Sequence, residues 1–102
     1  MGTRLEWPFV TLLRLHETLK TIKENPGITT NKLHQKLDYP KVSLIEYLDI
    51  LEKKGIISRT ENSNAPVPYY YKKPKQHYLT PKGEKFLKAL DSIIPFIEEF
   101  LS

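Results

Sequence analysis

Three consecutive tyrosines, Tyr69, Tyr70 and Tyr71, run into Lys72, Lys73 and Lys75, with Pro66, Pro68 and Pro74 around them. Lysine neutralises phosphate and releases the counterions held there. Tyrosine can hydrogen-bond phosphate or pack on a sugar, and proline limits the entropy a segment loses on settling against a surface. Together these groups could recognise a polyanion. The charge distribution points the same way. The chain carries a net +4, and residues 56–80 hold four basic groups (Arg59, Lys72, Lys73, Lys75) against Glu61 alone, so +3 of the +4 lies there. A localised basic patch is the electrostatic footprint of nucleic-acid binding. The plainer alternative is a solvated loop kept soluble by its lysines. By strand alternation, at least one of the tyrosines should instead cover the core.

Other chemistry has little support. There is no cysteine, which removes disulfides, thiolate catalysis and cysteine-ligated zinc. His16, His34 and His77 share no metal-ligand spacing. His16 falls within an apolar helix face, where a satisfied histidine is the ordinary finding. The four glycines form no phosphate cradle, and no nucleophile elbow is present. No enzyme activity, metal or cofactor is expected. No apolar run approaches the ~20 residues of a membrane span, and "MGTRLEWPFV" lacks the apolar segment of a signal peptide.

The elements that must position the basic segment follow from periodicity. Residues 8–24 read as a first helix, begun by Pro8 and stopped by "NPG" at 25–27. Its Phe9, Leu12, Leu13, Leu15, Leu19 and Ile22 cover about half the circumference, wider than one core contact requires. Ile28 can form a very short strand, and Thr29 or Thr30 can cap a two-turn helix carrying Leu33 and Leu37. A third helix starts near Pro40, buries Leu44, Leu48 and Leu51, and ends at Gly55 in the left-handed conformation. "IISRT" and "QHYL" read as two antiparallel strands within residues 56–79. Thr80 and Pro81 open a last helix, 80–101, in which Phe86, Leu90, Ile93, Ile97 and Phe100 make a narrow seam and Pro95 should introduce a kink or a break.

Two short helices, a tight turn and a β-hairpin is the order of a winged helix-turn-helix domain. The class is therefore α+β, mostly α, with a three-helix core and a hairpin wing. The whole chain, 1–102, reads as one such domain, with residues 28–55 the helix-turn-helix and 56–79 the wing. The match then becomes specific. "ITTNKLHQKLDYPKVSLIEYLDILEKKGIISR" resembles the helix-turn-helix and first wing strand of MarR- and PadR-like transcription regulators, of archaeal or viral type. "YLTPKGEKFL" at 78–87 resembles the phrase that closes the wing and opens the next helix in those families.

The resemblance implies a homodimeric regulator that binds double-stranded DNA, acts by covering a promoter, and works in the cytoplasm in association with the nucleoid. A small effector at the dimer interface occurs in some related regulators, and no residue here argues for one. The second helix of the pair would enter the major groove, led by Lys41, Val42, Ser43, Glu46 and Tyr47. Lys41 and Ser43 can reach phosphate or base edges, Val42 a thymine methyl, and Glu46 the amino group of cytosine. Thr30, Asn31 and Lys32 would face phosphates. Arg59, Tyr70, Tyr71, Lys72, Lys73 and Lys75 would form the basic face of the wing. The terminal helices would dimerise through Phe9, Leu12, Leu15, Leu90, Ile93, Ile97, Phe100 and Leu101.

One departure from the pattern stands out. Glu46, Asp49 and Glu52 make the third helix locally acidic, with Ile45 and Ile50 beside them. Either Glu46 reads cytosine, or the acids pair with Lys53 and its neighbours, or this helix contacts a protein. A protein-interaction module, or a sequence-independent DNA binder acting through the wing alone, are the alternative functions.

Overall fold

Two local stop signals set the path of the chain. A computed structural model describes residues 7–61 and 75–102. Its elements are α1 (Trp7–Glu24), β1 (Ile28–Thr29), α2 (Thr30–Lys36), α3 (Lys41–Lys53), β2 (Ile57–Glu61), β3 (Lys75–Leu79) and α4 (Pro81–Leu101). The first stop is "LEKKGII". Gly55 takes φ +76°, which only glycine adopts without strain. Its N–H donates to the Glu52 carbonyl at 3.0 Å, and the Ile56 N–H donates to the Leu51 carbonyl at 2.9 Å. That is a Schellman closure of α3, with Ile56 and Leu51 both buried.

The second signal is "LTPKG". Thr80 caps α4, its hydroxyl accepting from the Gly83 N–H at 2.9 Å, and Pro81 sits in the first turn. The Thr80 N–H donates to the Ile56 carbonyl at 3.1 Å, and its hydroxyl donates to the Gly55 carbonyl at 2.6 Å. The first turn of α4 therefore lies directly on the start of β2. A Cβ on Gly83 would sit 2.0 Å from the Ile56 carbonyl oxygen, so no other residue fits there without moving backbone.

The sheet has the order β1-β3-β2, antiparallel throughout. Ile28 pairs with His77, and Arg59 pairs with the same His77 from the other side. The core lies between the sheet and the helices. Leu19 and Ile22 of α1, Leu33 of α2, Leu44 and Leu48 of α3, and Ile57 of β2 are its most buried apolar members. Truncating one such leucine to alanine costs about 2–5 kcal/mol.

Helices α1 and α4 run antiparallel. Phe9 meets Phe100 with ring centroids 4.7 Å apart, and His16 bonds Asp91 midway along. The buried stripe of α4 is Gly83, Leu87, Leu90, Ile94 and Ile97. This corrects the expected seam, since Phe86 is half-buried while Ile93 and Phe100 are exposed. The helix is apolar on more than one face, and the close approach of Gly83 to Ile56 fixes which face turns inward. The helix also runs through Pro95, which is exposed, rather than ending there.

Candidate nucleic-acid interface

The N-terminal half of α3 presents a face that packs against nothing. Lys41, Val42, Ile45 and Glu46 are all exposed, Val42 at 70% and Ile45 at 44%. At ~100° per residue Val42 and Ile45 lie about 60° apart, so they share one side of the helix. Leu44, Leu48 and Leu51 face the opposite way into the core. Lys41 reaches back to α2, its Nζ donating to Asn31 Oδ1 at 2.6 Å. Asn31 and Lys32, at the start of α2, are exposed beside it. Between α3 and the sheet lies an open concavity of about 770 Å³, bordered by Thr30, Lys41, Ile45, Asp49, Arg59, Glu61 and Lys75.

The acids of α3 are held by the wing. Arg59 on β2 donates through Nη2 to Asp49 at 2.9 Å and to Glu52 at 2.6 Å. The bond to Arg59 holds the Glu52 carboxyl below its ordinary range, and the bond to Glu52 raises the Arg59 guanidinium in turn. Arg59 was expected on the DNA face of the wing. The structure places it half-buried and turned inward to neutralise α3, because strand alternation puts it on the side of β2 that faces the helix. Two of the three acids of α3 are thus engaged, by Arg59 rather than Lys53. Glu46 has no ion-pair partner among the described residues.

Behind the clamp sits His77, fully buried at the centre of the sheet. Its Nε2 and the Thr30 hydroxyl share a hydrogen bond of 2.9 Å. Burial, reinforced by Arg59, pushes its pKa down to about 4, so the ring is neutral at neutral pH. His77 Nδ1 and Arg59 Nε are buried polar atoms without a partner among the described residues. Thr30, expected to face phosphate, spends its hydroxyl on His77 instead, linking α2 to β3.

Tyr47 is a second correction. It is half-buried against the core, stacked edge-on to Tyr39 at 5.6 Å and accepting from Arg14 Nη1 at 3.4 Å. It ties α3 to α1 instead of leading into a groove. Tyr39 bonds Thr18, and burial raises its pKa to about 12. Ser43 is half-buried, and Lys75 is exposed. Tyr70, Tyr71, Lys72 and Lys73 lie outside the described residues.

The expected dimer residues divide. Leu90 and Ile97 are buried inside the protomer, and Leu12 and Leu15 pack on its core, so these four serve the internal contact of α1 with α4. Phe9 and Leu101 are half-buried. Ile93 and Phe100 are exposed at 42% and 57%, and with Phe96 at 72% they make a 3-4 spaced apolar face. Sequence reasoning passed over Phe96 because it follows Pro95; its spacing from Ile93 and Phe100 was the available signal. A separate apolar cleft of about 430 Å³ opens between α1, α3 and α4, with Leu15, Tyr47, Ile50 and Phe86 in its walls. Ile50, 55% exposed, belongs to this cleft and not to the Val42–Ile45 face.

Neither a family model nor a curated protein sequence matches the chain. Solved structures do. Streptococcus pneumoniae FabT in complex with DNA superposes with a TM-score of 0.63 at 20% identity, over 85% of this chain and 57% of that one. The transcriptional repressor CouR bound to a 23-mer DNA duplex gives 0.67 at 21%, over 82% and 55%. The multiple antibiotic resistance repressor MarR gives 0.65 at 23%, over 85% and 59%.

The fold is that of a MarR-type winged helix. The chain spans less than two thirds of the length of these regulators. In winged-helix terms, α2 and α3 are the helix-turn-helix pair, and β2 and β3 are the strands of the wing. Among the described residues, no helix is long and apolar enough to cross a membrane.

Proposed function

We propose that this protein is a sequence-specific, double-stranded DNA-binding regulator of transcription, with α3 as its reading helix in the major groove. The observation that carries this reading is the exposed face of α3. Its side chains are exposed, Lys41 and Lys75 stand at its edges, and two of its three acids are engaged from behind by Arg59. FabT and CouR, on the same fold, are regulators seen with DNA. Lys41, Val42, Ser43 and Glu46 would face the groove. Asn31 and Lys32 would meet phosphates, and Lys75 with the basic segment before it would lie along the backbone.

The protein would act as a two-fold dimer through Ile93, Phe96 and Phe100, presenting two reading helices to successive major grooves about one helical turn apart. Its place would be in the cytoplasm, associated with the nucleoid. Ile50 and its cleft favour a second reading, in which the cleft seats a side chain of a protein partner.

Selection from random-sequence duplex DNA, at two salt concentrations, tests the proposal. An enriched pseudo-palindrome is the expected result. Retention without enrichment, lost steeply with salt, would point to backbone binding alone. No retention at low salt would sink the DNA reading and favour the cleft.

A further inference from the structure

We propose that Val42 and Ile45 select thymine by its C5-methyl group, so that the preferred DNA carries thymine at two or more positions of each half-site. The inference rests on the DNA reading above. Four observations carry it together.

The first is exposure. Val42 and Ile45 are large apolar side chains held out to solvent on the outward side of α3, while the leucines of the same helix are buried. A folded domain gains nothing from two β-branched residues in water there. Contact with an apolar group would remove that surface from water.

The second is charge. Lys41 borders the same concavity as Ile45, and Lys75 borders it from the sheet. An apolar protein partner would bring no charge to meet these cations, whereas a major groove brings phosphates on both sides and methyl groups on its floor. Asp49 on that rim is held by Arg59, and Glu61 is the other acid there, so the border is net positive and matches DNA better than an apolar protein surface.

The third is the state of the acids. Asp49 and Glu52 could accept from base amino groups, but both are engaged by Arg59. This leaves Glu46 as the only acidic side chain of α3 outside the clamp. Polar readout from the helix is correspondingly sparse, and apolar contact is what remains. The fourth is rigidity. A helix leaves a β-branched side chain one strongly preferred χ1 rotamer, so both methyl-bearing faces are pre-set and little freedom is left to lose when DNA arrives.

The test compares thymine with deoxyuridine, which differs from it only by the missing methyl. The enriched site is synthesised with each thymine replaced singly by deoxyuridine, and affinity is measured for the native chain, Val42→Ala and Ile45→Ala. Burying one methyl group corresponds to roughly four-fold in binding. About three- to five-fold weaker binding is expected at two or more positions per half-site. At one of these, Ile45→Ala should bind thymine and deoxyuridine alike, and at another Val42→Ala should do so. Circular dichroism confirms that both variants are folded, as exposed positions allow.

Equal binding of thymine and deoxyuridine at every position would overturn the proposal and leave the DNA reading standing. So would methyl sensitivity that both variants keep. Retention of DNA without any enriched site would also overturn it, with backbone binding intact. No binding of any duplex would overturn the DNA reading and this proposal together.

Discussion

Two surfaces of this molecule expose apolar side chains, and their surroundings differ. On α3, Val42 and Ile45 stand among Lys41, Lys75 and a clamped pair of carboxylates. On α4, Ile93, Phe96 and Phe100 share one side of the helix with Glu99 at its edge, and the Phe9 ring packs on Phe100. The first surface is narrow and β-branched, and its border is net positive, with Lys41, Arg59 and Lys75 against Asp49 and Glu61. The second is largely aromatic, with the acid Glu99 at its edge, which a phosphate backbone would repel. Hydrophobic exposure alone does not name a partner; the charge at its border does. The first fits a polyanion with apolar spots, and the second fits a second copy of the same helix.

The comparison can be broken most decisively on α4. Replacing Phe96 and Phe100 together by serine should abolish the proposed dimer while leaving the chain folded, since both side chains are exposed. With two half-sites no longer engaged as one, apparent operator affinity should fall on the order of 100-fold. Sedimentation equilibrium and a binding titration check this. An unchanged dimer would move the interface elsewhere.

Acid should next separate the two regions. The pKa of folded His77, about 4, lies below the ordinary 6.5, so its contribution is complete above pH 6.5 and is lost as pH falls from there toward 4. The loss should approach roughly 3 kcal/mol near pH 4. Hydrogen exchange should quicken first in β3 and α2, beneath the reading face. Equal loosening of α1 and α4 would mean that His77 is not the group responsible.

Arg59→Ala should come third. It would free Asp49 and Glu52 toward the groove, costing about 1–2 kcal/mol of stability, since both carboxylates are partly exposed. DNA affinity should fall about 10-fold. Arg59→Ala with Asp49→Asn and Glu52→Gln should recover much of that binding, which a direct phosphate contact by Arg59 would not allow. The smallest effect belongs to Lys75→Ala. It should weaken all duplexes alike by several-fold and lower the salt slope by about one. A change in sequence preference would instead make Lys75 a base reader.

How much of this the sequence carried depended on range. The stripe of Leu44, Leu48 and Leu51, the Gly55 stop and the Thr80-Pro81 start were all legible, because each depends on residues within four or five positions. The short strand at Ile28 was legible for the same reason, as a β-branched residue after a turn, whereas its pairing with the distant His77 was not. The face of α4 was not. Two apolar stripes compete along that helix, and the choice is made by Gly83 meeting Ile56, a contact between distant segments. Arg59 was misassigned because its partners sit on another element, so its charge looked available when counted along the chain. Tyr47 failed likewise, its direction being set by Tyr39 and Arg14.

The contact of Gly83 with the Ile56 carbonyl has a mechanical consequence. It is a pivot with no slack, joining the base of α4 to the point where α3 gives way to the wing. From that point α4 extends 21 residues, a rod of about 30 Å. A tilt of about 5° at the pivot would carry the far tip, where Phe100 sits, through roughly 2.5 Å over that length. Run in reverse, a small displacement at the interface of the proposed dimer would become a rotation of α3. In the proposed dimer this makes α4 a lever with its fulcrum at a glycine, and lengthening or stiffening the arm would change the spacing of half-sites that dimer could span.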